Sequence, residues 1–436
     1  MLFLVIFSML ILPKVFTIGI FVDGMTYASI SRNLSEGISS FFKPTYTLTI
    51  YREFYEHPPL QFYLESLFFK LLGDKFYTER IYSILVGFLS LTLLAFTVKI
   101  LSRFEKVNIP LFSASFVLIL IPLTSWIMLN NMLENTLVLF LILSFVFLLF
   151  SIYINSVFAL FSGIFLFLAF FTKGPVALFV IIFPILYYKE INFSRMVMIY
   201  LLLMFGFCIF LFIPGVLEYL SIYFKNQVIS SIIGKREIVG NRLDPIFKTI
   251  RELLIPFLFL LMLSIFKKFR ITISKISLKL LLLSLFAIFP LTISPKQMDW
   301  YVYPSFPFFS LAIAFIFKDT LKFLDELLKN KILSFISLII VIFSVFIMIL
   351  NYGKPIKYEE FHNSFSGITF SSHRIVGICP KEEINNWEII ALTQRYLKFS
   401  IYENVDSVVF SHKNCNLNCK MKVGSGNYFI CFQRSQ

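Results

Sequence analysis

The chain has 436 residues, 58% of them hydrophobic and only 15% charged, with 57 Phe and a mean hydropathy of +0.83. That balance excludes an ordinary soluble globular domain and a disordered chain, and places the protein in the bilayer. The formal net charge of +14 reads partly as a topology signal and partly as a means of holding anions, with no nucleic-acid partner expected.

Apolar stretches of about 17 to 25 residues recur from the N-terminus to about residue 350, each long enough to cross the hydrocarbon as a helix. The first, "MLFLVIFSMLILPKVFTIGIFVD", lacks the basic start and small-residue cleavage pattern of a secretory signal, so residues 1–22 read as a membrane helix. Lys14 lies inside it, either pairing within the bundle or snorkelling. Asp23 follows where that helix leaves the bilayer, in "FVDGMTYASISRNLSEG". An ionisable group at such a depth is costly unless used or paired, although Asp23 could also simply cap the next helix.

In "YEHPPLQFYLES", Pro58 and Pro59 suit the first turn of a helix, and Leu60, Tyr63, Leu64, Leu67, Phe68, Leu71 and Leu72 then recur at helical spacing until Gly73. This predicts an amphipathic helix lying on the outer leaflet and holding Glu56 and His57 at the membrane–water boundary, either as site residues or as caps. Further spans are expected at roughly 78–101, 110–128, 133–152, 156–172, 174–189, 196–217, 251–266, 277–294, 300–317 and 332–350, which makes about eleven.

With residue 1 inside, the inner loops carry Lys99, Arg103, Lys106, Lys189, Arg195, Lys267, Lys268, Arg270, Lys275, Lys279, Lys318, Lys322, Lys329 and Lys331. Against these stand Glu105, Glu190, Asp319, Asp325 and Glu326. The positive-inside bias is satisfied, and an odd number of spans puts residues 352–436 outside with the loops 23–77 and 218–250. Those loops are basic as well, with Lys43, Arg52, Lys70, Lys75, Lys225, Lys235, Arg236, Arg242 and Lys248, either as solvated charges or facing an anionic ligand. Glu134 in "NNMLENTL" falls on the same face. So do Arg80 in "TERIYSILVG", Lys173 in "FTKGPVA", and Lys296, Trp300, Tyr301 and Tyr303 in "SPKQMDWYVYPSFP". The aromatics alone would be ordinary interface anchors; the lysines beside them are less ordinary.

No internal repeat or inverted half is visible, which weakens a transporter reading. The tail, 352–436, alternates β-rich pieces ("RIVGICP", "SVVFS", "YFICFQ") with a helical stretch near 382–402, predicting a small soluble α/β or α+β domain after a membrane domain of residues 1–351. Cys379, Cys415, Cys419 and Cys431 are expected to form one or two disulfides of unreadable connectivity; "CNLNC" alone makes a weak zinc motif.

Taken together and in this order, the acid after the first helix, "HPPL", "TERIYSILVG", "NNMLENTL", "TKGPVA" and "SPKQMDWYVYPSFP" resemble the GT-C glycosyltransferases related to protein O-mannosyltransferases and the lipid A aminoarabinose transferase. The resemblance covers roughly residues 1–317. It implies an inverting transferase, multi-pass in the bacterial inner membrane with its C-terminal domain extracytoplasmic. Such an enzyme moves a monosaccharide from a polyprenyl-phosphate carrier to a protein, lipid or glycan acceptor.

Matched motif to motif, Asp23 is the expected general base and Glu134 a second acid. Glu56 and His57 match loop residues near the base, and Arg80, Lys173 and Lys296 are expected to hold the carrier phosphate, with Tyr301 and Tyr303 also binding substrate. Many relatives carry a second acid directly after the first, where this chain has Gly24. No metal ligands are assigned, and the resemblance leaves a divalent metal open. The competing expectation is a non-catalytic lipid or polyprenol transporter or flippase.

Overall fold

The computed structural model describes residues 2–235, 239–403, 405, 407–412, 415 and 417–433. Arg236 lies outside them. The protein is a multi-pass helical membrane protein with a small sheet-containing C-terminal part. Among the described residues six helices are long and apolar enough to cross a bilayer, Thr78–Phe104, Leu133–Tyr153, Phe193–Phe212, Asp244–Lys267, Lys275–Ile293 and Lys331–Leu350. A seventh arises if Asp299–Ile316 and Lys318–Leu327, bent by 84°, are one span.

The other expected spans are helical and apolar but shorter or interrupted, and proline is the recurring reason. The first helix passes into a 3₁₀ turn, Leu12–Lys14, at Pro13; the third stretch divides into Ser113–Ile119 and Pro122–Leu129; and Pro175–Tyr187 is 3₁₀ throughout with Pro184 inside it. A ring without an N–H removes one ladder bond and clashes with the preceding turn.

The chain packs as two compact units. The first comprises Met1–Pro13, Tyr55–Leu60 and Ser83–Ile347, and the second Lys14–Phe54, Gln61–Tyr82 and Met348–Gln436. Packing therefore groups the tail with Lys14–Phe54 and Gln61–Tyr82.

In the first unit, helices Leu133–Tyr153, Phe158–Lys173 and Phe193–Cys208 follow one another as close neighbours. Glycine permits the second of these contacts. A Cβ on Gly163 would stand 2.0 Å from the Leu203 carbonyl oxygen, and one on Gly206 2.1 Å from that of Leu160. Small residues that let backbones meet are a usual means of helix association in lipid, where no hydrophobic force drives helices together. Phe145 packs edge-on against Phe183 and Phe308, with ring centroids at 4.7 and 5.1 Å.

In the second unit, β1 (Arg374–Cys379), β2 (Phe399–Ile401), β3 (Val408–His412), β4 (Met421–Ser425) and β5 (Tyr428–Phe432) form one sheet of order β2-β1-β3-β5-β4. β1 is parallel to β2 and β3, and β5 is antiparallel to β3 and β4. The three predicted β pieces are β1, β3 and β5. Between β1 and β2 lie Lys381–Asn385, Trp387–Leu392 and Thr393–Leu397, the expected helical stretch in three pieces. Gly426, at φ +67°, supplies the positive φ that the tight β4–β5 hairpin requires. Both disulfides are present, Cys379–Cys415 and Cys419–Cys431, so the two cysteines of "CNLNC" belong to different bridges.

This unit also contains the amphipathic helix, Leu60–Leu72, within its bounds from Gln61 onward. Its polar and aromatic side, Gln61, Phe62, Glu65, Ser66 and Phe69, is the buried one, while Tyr63, Leu67 and Leu71 are exposed. An apolar stripe turned away from the protein is what a helix resting on lipid presents. Phe62 meets Tyr27 at 5.7 Å and Ser31 donates to Glu65 at 3.0 Å, so the helix packs along Val22–Ser35.

Candidate active site

The stretch "YEHPPL" belongs to the first unit, where Tyr219 donates its hydroxyl to the His57 carbonyl at 2.8 Å and its ring meets that of Tyr55, tilted, at 5.1 Å. The loop is thereby fastened to helix Val216–Tyr223. Glu56 and His57 line a cavity of about 340 Å³, together with Lys173, Lys296 and Tyr301. Five of the residues singled out in the sequence thus meet at one opening within one unit. Most of the remaining lining is apolar, including Pro175, Val176, Phe179, Leu291 and Ile293.

Lys173 ends helix Phe158–Lys173, so its cation sits at the negative pole of the helix dipole. Its ammonium pairs with Glu134, which is fully buried in the first turn of Leu133–Tyr153, and lies 4.9 Å from the centre of the Tyr301 ring. Tyr223 donates to the Lys173 carbonyl at 3.2 Å. The next residue must be glycine: Gly174 has φ +82°, and a Cβ there would stand 2.3 Å from the Tyr223 hydroxyl. Lysine, glutamate and two tyrosines thus fix one another. Glu134 acts on the cavity through Lys173, which lines it.

Lys296 lies in the connection after Lys275–Ile293, paired in parallel with Val239 across an isolated bridge. Trp300 stacks on Trp126 at 5.5 Å, which anchors the segment that carries Tyr301. Tyr303 is buried and hydrogen-bonded with Thr124, and it is not among the residues lining the cavity.

Asp23 and Arg80 belong to the second unit. Asp23 occupies the first turn of helix Val22–Ser35, whose N-cap is Phe21, so it stands inside the helix start where its charge is favoured by the dipole. Arg80 is buried, and its guanidinium donates to the carbonyls of Lys14 at 3.0 Å, Thr17, and Gly19 at 2.7 Å. Those bonds hold the non-helical segment that leads into Asp23, a holding role that the sequence did not suggest. Residues 353–356 pair with the same segment, through Gly353 N–H to Phe16 O at 2.8 Å and Ile356 N–H to Ile18 O at 2.9 Å. Among the described residues no group of three or more His, Cys, Asp or Glu is placed to hold a metal.

Sequence reading did not pick out Tyr223, Gln227, Ser231 or Gln297, all of which line the cavity. A signal existed for the first three, which recur every fourth residue and so share a helix face. Here the region runs through a π-helical turn, Phe224–Ile229, of a kind that occurs frequently at functional sites.

Residues 56–217 match the family described as dolichyl-phosphate-mannose-protein mannosyltransferase. The crystal structure of ArnT from Cupriavidus metallidurans bound to undecaprenyl phosphate superposes with a TM-score of 0.57 at 15% identity, covering 72% of this chain and 58% of that one. The fold is that of the GT-C glycosyltransferases. ArnT from the same organism in the apo state gives a TM-score of 0.51, again at 15% identity, over 71% of this chain and 57% of that one. The chain therefore spans a little over half the length of the solved structures it matches. No curated protein sequence matches it significantly.

Proposed function

We propose that this GT-C protein is an inverting glycosyltransferase that takes a monosaccharide from a polyprenyl-phosphate carrier and passes it to a protein, lipid or glycan acceptor. The observation that carries the reading is the cavity of the first unit, where Lys173 and Lys296, with Glu56 and His57 beside them, stand among mostly apolar walls. Apolar walls suit a lipid carrier, and cations suit its phosphate. That ArnT was crystallised with undecaprenyl phosphate supports the same carrier class here.

In the reaction the bond between the sugar C1 and the phosphate oxygen breaks as the acceptor heteroatom bonds to C1 from the opposite face. The phosphate gains negative charge along that path. Fixed cations at its oxygens therefore stabilise the transition state more than the ground state. Lys173 and Lys296 fill that role, with Glu134 and Tyr301 holding Lys173. The resemblance gives the acceptor's proton to Asp23, a contribution of about two to four orders of magnitude for general base catalysis.

Two disulfides in the second unit and the basic inner loops support an extracytoplasmic tail in a bacterial inner membrane. The test is transfer of label from polyprenyl-phosphate sugars to a cell-envelope fraction by purified protein. The wild type should transfer and Asp23→Asn should lose transfer while still binding donor. A wild type that moves lipid across vesicles without transferring sugar would favour a transporter.

A further inference from the structure

Within the cavity one polar group has no use in the reading above. Gln297 is 2% exposed, and its main chain is held on both sides: its N–H donates to Val239 O at 2.8 Å, and its carbonyl accepts from Lys248 at 3.4 Å. Its side-chain Nε2 donates to the carbonyls of Leu291 and Ser294, both at 2.5 Å. Two carbonyl partners settle which end of the amide is nitrogen, since an oxygen there would face two other oxygens. Both amide hydrogens are then spent, and among the described residues the buried Oε1 acceptor has no partner.

A buried acceptor left unmade is costly, and its natural complement is a donor brought by a ligand. The carrier phosphate cannot be that ligand, because an ionised phosphate ester offers acceptors only. The transferred sugar offers hydroxyl or amine donors. Resting on the glycosyltransferase reading, we propose that Gln297 is a sugar-recognition residue. Its Oε1 accepts a hydrogen bond from a hydroxyl or amine of the sugar, in a subsite that also includes Gln227 from the π-helical turn and Ser231 from the helical turn after it. The lysines at the same opening then take the phosphate. One cavity thereby divides into a cationic part that accepts any carrier phosphate and a neutral part that selects the sugar.

Competition binding to the purified full chain tests this, with radiolabelled undecaprenyl phosphate displaced by the unlabelled carrier or by undecaprenyl phosphate bearing a neutral hexose, a neutral pentose or an aminopentose. The wild type should bind one sugar-bearing carrier at least about tenfold more tightly than the bare carrier. Gln297→Met, which keeps the bulk and removes the acceptor together with the Nε2–H donors to Leu291 and Ser294, should erase that preference. A monodeoxy form of the preferred sugar should lose the same preference on the wild type and lose nothing further on Gln297→Met.

A loss of packing alone would weaken bare and sugar-bearing carriers together, and that result overturns the proposal. A preference that survives in Gln297→Met overturns it as well, as does a wild type that binds every carrier equally. Failure of the wild type to retain bare carrier at all would instead overturn the functional reading on which the proposal rests.

Discussion

The two units use charge in opposite ways. In the second, Arg32 donates to the carbonyls of Gln394 and Arg395, and Arg395 reaches Asp74 at 2.7 Å and Glu79 at 2.8 Å. Lys398 bridges Glu36 and Asp74 at 2.8 and 3.3 Å, and His373 meets Glu36 at 2.7 Å. This network ties helix Val22–Ser35, the start of Thr78–Phe104 and the tail together. In the first unit, Lys173 has a single buried acid behind it and an open cavity before it, with Lys296 and His57 along the same opening. Cations bracketed by acids and carbonyls hold a fold; cations lining a cavity are placed to meet a ligand.

The sharpest way to break this contrast is to remove a bracketed charge. Arg395→Leu leaves the fully buried Glu79 without its guanidinium, while Asp74 keeps Lys398 and Arg32, and should destabilise the second unit by about 3–5 kcal/mol. A fall in melting temperature of the detergent-solubilised chain, with loss of ordered sheet signal, checks it. Reduction of the disulfides comes next. Each should cost about 2–4 kcal/mol, more for Cys379–Cys415, which closes 36 residues, than for Cys419–Cys431, which closes 12. Thermal melts of the single-pair serine variants would rank them.

Lys173→Ala should behave differently, weakening carrier binding by about tenfold to a hundredfold while leaving the second unit's melting unchanged. Glu134→Gln should give a smaller loss in the same assay, since it loosens Lys173 without removing it.

The gentlest probe is pH. Burial alone would raise the Glu36 carboxyl, but hydrogen bonds from His373 and Lys398 outweigh it and hold it at about 2; Arg395 and Arg32 do the same for Asp74, also at about 2. Both carboxyls have a folded value below the unfolded one, so their contribution is full above about pH 4.5 and is lost as pH falls toward 2. His362, which burial lowers to about 4, acts in the same direction between its ordinary value of 6.5 and 4. Melting followed from pH 7 to 2 should show this slope. Glu36→Gln should flatten it.

The sequence carried the helical membrane architecture, the amphipathic helix after "HPPL" and three of the five strands, because apolar length and periodicity are local properties. It also named five residues that line one cavity. It could not tell that Arg80 spends its guanidinium on the carbonyls before Asp23, since a cation's partner is set by tertiary contact and not by its motif. Gln297 stood unmarked beside Lys296 for a similar reason: only the folded amide network reveals that its oxygen is left over. Among the described residues several of the expected spans are shorter or divided, mostly at proline, a physical cause visible in the letters but hard to weigh without packing.

The account rests most directly on the cations of the first unit, so the deciding measurement is equilibrium binding of undecaprenyl phosphate to the purified chain and to the Lys173→Ala/Lys296→Ala pair. Saturable binding by the wild type, cut at least about a hundredfold in the double variant while the second unit's melting is unchanged, is the predicted result. Equal binding by both proteins would contradict it.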